Sequence, residues 1–170
     1  MNQNEKPDKN LLAIRVLALA ISCAGAMVML GWIFDIGALK TISSHWVSMK
    51  FSTAFCFVLS GISLYFIAEA MREEFDVAQV VLSITSMTIM LLMGILLSSF
   101  FFSIHTGAEE LFIQDLHQPI KTVTPGMPSF PTMLNFILMA IAGVLMILNP
   151  RNPRKYLKII GTTIALYTAS

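Results

Sequence analysis

Three histidines and the carboxylates near them are the residues of this sequence whose types could build a binding site. The histidines are His45, His105 and His117, and the nearest carboxylates are Glu109, Glu110 and Asp115. Neutral imidazole and carboxylate groups are common metal ligands. However, their spacing matches no metal motif, and no two histidines stand four residues apart as on one helix face. A metal or haem site is one interpretation, but the spacing favours three solvated loop histidines, and we therefore predict no cofactor.

No other motif in the sequence indicates catalysis. The chain has no Gly-rich phosphate loop, no nucleophile elbow and no Cys-x-x-Cys pair. Its two cysteines, Cys23 and Cys56, lie within apolar segments, at depths that differ by roughly 7–8 Å at the rise of a helix. That difference exceeds what a disulfide spans. We therefore expect two free, packed thiols and no enzymatic activity in these residues.

The elements that carry these residues are predicted to be transmembrane helices. The sequence is 56% hydrophobic and 12% charged, whereas soluble domains are roughly 25% charged. Four apolar segments can cross a hydrocarbon layer of about 30 Å, and they cover residues 11–34, 49–68, 77–102 and 131–148. Because no β-barrel alternation is visible, the lipid interior requires helices. Residues 156–170 reach only about 22 Å as a helix, so we interpret them as an incomplete fifth span.

The basic residues indicate how the segments are oriented. With a cytoplasmic N-terminus, eight of them lie inside and three outside: Lys6, Lys9, Arg15, Arg72, Arg151, Arg154, Lys155 and Lys158 against Lys40, Lys50 and Lys121. Basic residues concentrate on the cytoplasmic side of membrane proteins. We therefore predict a disordered cytoplasmic lead over residues 1–10 and outer loops at 35–48 and 103–130. The net charge of +1 favours no nucleic-acid partner.

Polar and small residues within the spans indicate how the helices pack. Asn135 is an amide inside the fourth segment, and we expect it to bond a neighbouring helix, with a small ligand as the alternative. Arg15 lies near the start of the first segment, where its side chain can reach the interface. Small residues recur at four-residue spacing, which favours close helix packing over an apolar ligand pocket: Ala18, Ser22 and Ala26; Ser52, Cys56 and Ser60; Gly94 and Ser98.

The second and fourth segments align at an offset of 79 residues. The aligned identities include Thr53 with Thr132 near the helix starts and Phe57 with Phe136. Both copies enter the membrane from the same side, so we predict a tandem parallel two-helix repeat, with copies at 11–76 and 77–155. The four-helix membrane domain then covers residues 11–148. The two threonines are candidate ligand or packing positions.

The two helix starts resemble a signature of the N-terminal multi-helix membrane domain of bacterial sensor histidine kinases and diguanylate cyclases. That signature is close to Met-x-Pro-Asn-Thr-Ala-Leu-x-Phe-Leu-Leu-x-Gly, and the first copy here is Met49-Lys-Phe-Ser-Thr-Ala-Phe-Cys-Phe-Val-Leu-Ser-Gly61. The second copy is Met127-Pro-Ser-Phe-Pro-Thr-Met-Leu-Asn-Phe-Ile-Leu-Met139, which departs from the Thr-Ala pair. The resemblance covers about residues 11–160.

The resemblance implies an all-α sensory input domain in the bacterial inner membrane. Any catalytic output module would lie downstream of these 170 residues. The expected partners are the lipid bilayer and a second copy or another membrane helix. The alternative is a small membrane subunit or transporter-like protein that works through helix–helix assembly.

Overall fold

The computed structural model describes residues 9–37, 49–71, 75–102, 127–148 and 153–169. Within these ranges the chain forms five α-helices and no strand: α1 (Lys9–Ile33), α2 (Phe51–Ala70), α3 (Phe75–Phe102), α4 (Phe130–Ile147) and α5 (Pro153–Ala169). The predicted all-α class is confirmed, and each of the four predicted spans corresponds to one of α1–α4. These four helices are long and apolar enough to cross a membrane.

Local chemistry accounts for where two of the helices end or begin. After α1, the Ile36 N–H donates to the Gly31 carbonyl at 2.8 Å, which is the long bond of a Schellman ending. This ending requires a left-handed residue, and Asp35 adopts φ of 55° there, a conformation that aspartate tolerates better than most residues. At the start of α4, the Ser129 hydroxyl accepts the Thr132 N–H, and Pro131 occupies the first turn, where its missing N–H costs nothing.

Three helices form the core of the bundle, and each of the two remaining helices packs against one helix of that core. Helices α2, α3 and α4 contact one another, α1 packs against α2, and α5 packs against α4. Consecutive helices run antiparallel, so α2 and α4 run parallel. Two buried clusters fill the interior, one centred on Cys56, Met93 and Met133 and the other on Ile67, Leu82 and Met146.

The distribution of polar and apolar side chains is that of a protein surrounded by lipid. Among the described residues, the polar side chains that are buried as a whole carry hydroxyls: Ser52, Thr53, Ser63, Thr85, Ser86 and Ser99. Large aliphatic side chains cover the outside instead; Val77 is 68% exposed, Ile84 62% and Leu17 58%. A soluble helix bundle would carry mostly polar and charged side chains at such exposed positions. The chain is therefore a membrane-embedded protein.

Hydroxyl groups on the outer surface of α3 are satisfied by their own helix. Ser83 donates to the Gln79 carbonyl, Thr88 to Ile84 and Ser98 to Gly94, each at 2.8 Å. Because lipid offers no hydrogen-bond partners, a polar group that faces it needs such an internal acceptor. Each exposed hydroxyl of α3 named here is therefore compatible with a lipid-facing position.

Two of the small residues that were expected to mark a packing surface on α3 do not do so. A Cβ atom at Gly94 would meet nothing within 4 Å, and Ser98 is exposed. The prediction of close packing at this pair is therefore wrong. A close approach of α3 and α4 occurs instead at Ser86 and Gly143, where a Cβ on the glycine would lie 2.1 Å from the serine oxygen.

Candidate functional site

The residues proposed from the sequence do not converge on one site. His45, His105 and His117 lie outside the described residues. No group of three metal-ligating side chains occurs within the described ranges. Asn135 was expected to bond a neighbouring helix, but its side-chain oxygen is buried without a hydrogen-bond partner among the described residues. The amide oxygen makes no such bond among the described residues, and a bond from the amide nitrogen to a neighbouring helix stays a prediction.

The two aligned threonines occupy equivalent turns but have different surroundings. Thr132 belongs to the N-terminal cap of α4, where its hydroxyl lies 2.7 Å from the Ser129 hydroxyl. Thr53 is buried in the first turn of α2, and the capping position there is Lys50, which makes no side-chain cap. The structure thus gives Thr132 a role in starting a helix, and it does not place the two threonines at a common site.

The polar feature that the sequence analysis missed is an ion pair between α1 and α2. A guanidinium nitrogen of Arg15 contacts a carboxylate oxygen of Glu69, and these side chains are 26% and 12% exposed. The same guanidinium lies over the ring of Tyr65, 5.8 Å from its centroid. A cation in this position is attracted by the negative face of the ring. Arg15 therefore joins α2 through a carboxylate and an aromatic ring, one helical turn apart.

Close backbone approach aligns α1 with α2 so that this pair can form. A Cβ atom on Gly61 would lie 2.6 Å from the Ala18 carbonyl oxygen, and one on Gly25 would lie 2.7 Å from the Ala54 carbonyl oxygen. Glycine at both positions lets the helices touch, as small residues do in membrane bundles. At the opposite end of the same interface, the Trp32 indole N–H donates to the Met49 carbonyl at 2.8 Å.

A groove opens between α1 and α2 beside the ion pair. Its volume is about 260 Å³. Ala18, Leu19 and Ser22 line it from α1, and Gly61, Ile62 and Tyr65 line it from α2. Helix α1 contributes one hydroxyl to this lining, and that hydroxyl already has a hydrogen-bond acceptor, because Ser22 donates to the Val58 carbonyl at 3.4 Å. The groove is thus apolar along its length, and Tyr65 belongs both to its wall and to the cluster around Arg15.

A signal for this pair was present in the sequence. Arg15 was expected to reach the interface, and Glu69 directly follows the second predicted segment, which ends at residue 68. Both positions lie near the predicted cytoplasmic ends of consecutive segments, which an antiparallel pair of helices brings to the same depth. Two opposite charges at the same depth near an interface are more often paired with each other than solvated separately.

Comparisons of the chain with models of known protein families, with curated proteins and with solved structures find no match. The geometry of the chain itself is therefore the basis of the functional argument.

Proposed function

We propose that the chain is the membrane-embedded sensory input domain of a bacterial signal-transduction protein, with its N-terminus in the cytoplasm. The observation that carries the proposal is the attachment of α5. Leu157 and Ile160 of α5 pack against the cluster that contains Ala142 and Met146 of α4. Other parts of α5 are open, with Ile159 52% and Leu166 74% exposed. A helix attached mainly to one neighbour follows that neighbour when it moves.

The contact between α2 and α4 is where a movement of α4 would arise. Phe57 and Phe136 meet edge to face, with ring centroids 5.2 Å apart and an interplanar angle of 86°. These are the two phenylalanines that align at the offset of 79 residues. Because α2 and α4 run parallel, a shift of one along the other would exchange this ring contact for another. The resemblance to sensor membrane domains supports the same assignment.

A second function is favoured by the exposure of α1. Only 11% of its most apolar stretch is buried, against 50% in α2. A span this open suits a small membrane subunit that docks a partner helix, whether from a second copy or from another protein. This assembly function predicts that a membrane partner copurifies with the chain in fixed proportion.

The test joins residues 1–170 in frame to the kinase region of a sensor histidine kinase and measures phosphorylation in membranes. Phe136→Ala should change the basal output several-fold at an equal amount of membrane protein, because it removes the ring contact with α2. The matched control is Phe102→Ala, on a side chain that is 72% exposed, and it should leave the output unchanged. Equal output from both variants, together with a stoichiometric membrane partner, would favour the assembly function.

A further inference from the structure

The groove between α1 and α2 has the two chemical ends of a lipid site. Tyr65 lines one end of the groove and lies under the guanidinium of Arg15, which pairs with Glu69. From Tyr65 the apolar wall runs towards Ser22 and Gly61. Arg15 and Ser22 are seven residues apart, so this wall is roughly 10 Å long at the helical rise. Glu69 is next to the last residue of α2, which places the polar end at the membrane interface.

The guanidinium of Arg15 retains hydrogen-bonding capacity beside this groove. An arginine side chain has five N–H donors, and the bond to Glu69 is made through Nη2. The Nε donor is buried without an acceptor. A buried donor without an acceptor carries a desolvation cost, and the side chain remains 26% exposed. The exposed part of the side chain, and not the buried Nε, is therefore where a group rich in acceptor oxygens would meet Arg15 from the interface.

We propose that this groove binds one phospholipid, whose acyl chain occupies the apolar wall and whose phosphate accepts hydrogen bonds from Arg15. The volume of about 260 Å³ exceeds the roughly 150 Å³ of a dry cavity that holds benzene, so it accommodates a length of hydrocarbon chain. Phosphate complements the positive guanidinium and supplies several acceptors. A free phosphate ion would leave the apolar wall uncovered, whereas a phospholipid satisfies both ends.

The experiment measures lipid retained by the whole chain. The protein is purified in a mild detergent, stripped of lipid, and titrated with a phosphatidylglycerol of defined chains while native mass spectrometry counts the molecules bound. One lipid should bind to the unmodified chain. Leu19→Trp fills the groove from a side chain that is 59% exposed, and it should abolish this binding. Ile84→Trp, on the lipid-facing surface of α3, adds the same ring elsewhere and should bind one lipid as before.

The polar end is tested by removing the charges. Arg15→Gln should weaken binding about tenfold, the loss expected when a charge-assisted hydrogen bond disappears. Because that variant leaves Glu69 without its cation, the double variant Arg15→Gln/Glu69→Gln is measured beside it, and it should also bind about tenfold more weakly while it melts like the parent.

Three outcomes would overturn the proposal. The first is unchanged lipid binding in Leu19→Trp. The second is an equal loss in Ile84→Trp, which would indicate lipid association without a site. The third is a change from dimer to monomer in Leu19→Trp with unaltered lipid stoichiometry, which would identify a second copy as the occupant of the groove.

Discussion

Replacing Gly61 by alanine should separate α1 from α2. The added Cβ would lie 2.6 Å from the Ala18 carbonyl oxygen and 2.9 Å from the Ser22 backbone nitrogen, where ordinary contact begins at 3.4 Å. Backbone atoms cannot rotate away, so the helices must move apart by about 0.8 Å, the difference between 3.4 and 2.6 Å. A gap of 0.5–1 Å forfeits roughly a quarter to a half of the dispersion energy of the contacts it opens.

We expect Gly61→Ala to lower the free energy of unfolding by about 1–3 kcal/mol, the usual range for overpacking. Gly94→Ala is the matched control, because a Cβ there meets nothing within 4 Å. In the control, the better helix propensity of alanine should leave stability unchanged or raise it by about 0.5–1 kcal/mol. The assay is unfolding of the detergent-solubilised chain by added SDS, followed by tryptophan fluorescence. Equal midpoints for the two variants would refute the close approach of α1 and α2.

Three further substitutions test other contacts. Gly143→Ala should be mildly destabilising, because its Cβ meets only the movable Ser86 hydroxyl at 2.1 Å, while the next atoms stand at 3.5 Å and beyond. The double variant with Ser86→Ala should recover the parental midpoint of unfolding. A loss of stability that persists in the double variant would contradict the geometry. Thr85→Val removes the acceptor of the buried 2.7 Å bond from Ser63 and should cost about 0.6 kcal/mol, at most about 2; an unchanged SDS midpoint would show that the bond contributes nothing. Asn135→Leu should raise stability by about 1 kcal/mol, since it removes a buried acceptor without a partner; a lower midpoint would show that the amide oxygen has found a donor.

The spans could be predicted because length and hydrophobicity alone decide which segments enter a bilayer. Each of the four predicted segments matches a helix, and Pro131, the first residue of the fourth predicted segment, lies in the first turn of α4. The register between helices could not be predicted in the same way. Gly61 and Gly94 are alike in the sequence, but one touches the neighbouring backbone and the other meets nothing. That difference depends on which face of each helix turns inwards, and helices apolar on every side do not encode it strongly.

The candidate site was predicted less well than the fold. The histidines drew attention because their side chains bind metals, but they lie outside the described residues. Arg15 and Glu69 lie near the ends of two consecutive predicted segments, yet their pairing depends on how α1 and α2 cross. The cavity beside them follows from that crossing and from the small side chains at Ala18 and Gly61. The positions of the two charges indicate that they could pair, but the crossing of the helices and the cavity beside it cannot be predicted from residue types.

The tandem repeat and the sensory function stay predictions. The contact between Phe57 and Phe136 joins positions that align in the sequence, and duplication would account for that contact. The kinase fusion tests the sensory function independently of the repeat, because it measures kinase output, which does not depend on whether the two copies arose by duplication.

The central claim is that α1 to α4 cross the membrane with the N-terminus inside, and labelling of single cysteines in intact cells tests it most directly. Cys23 and Cys56 are first replaced by alanine, and one cysteine is then introduced by Glu110→Cys, Glu73→Cys or Ile84→Cys. A membrane-impermeant maleimide should label position 110 in intact cells and position 73 only after permeabilisation, whereas position 84 should stay unlabelled in both. Labelling of position 110 from the cytoplasmic side alone would reverse the orientation, and ready labelling of position 84 would contradict the membrane-embedded fold itself.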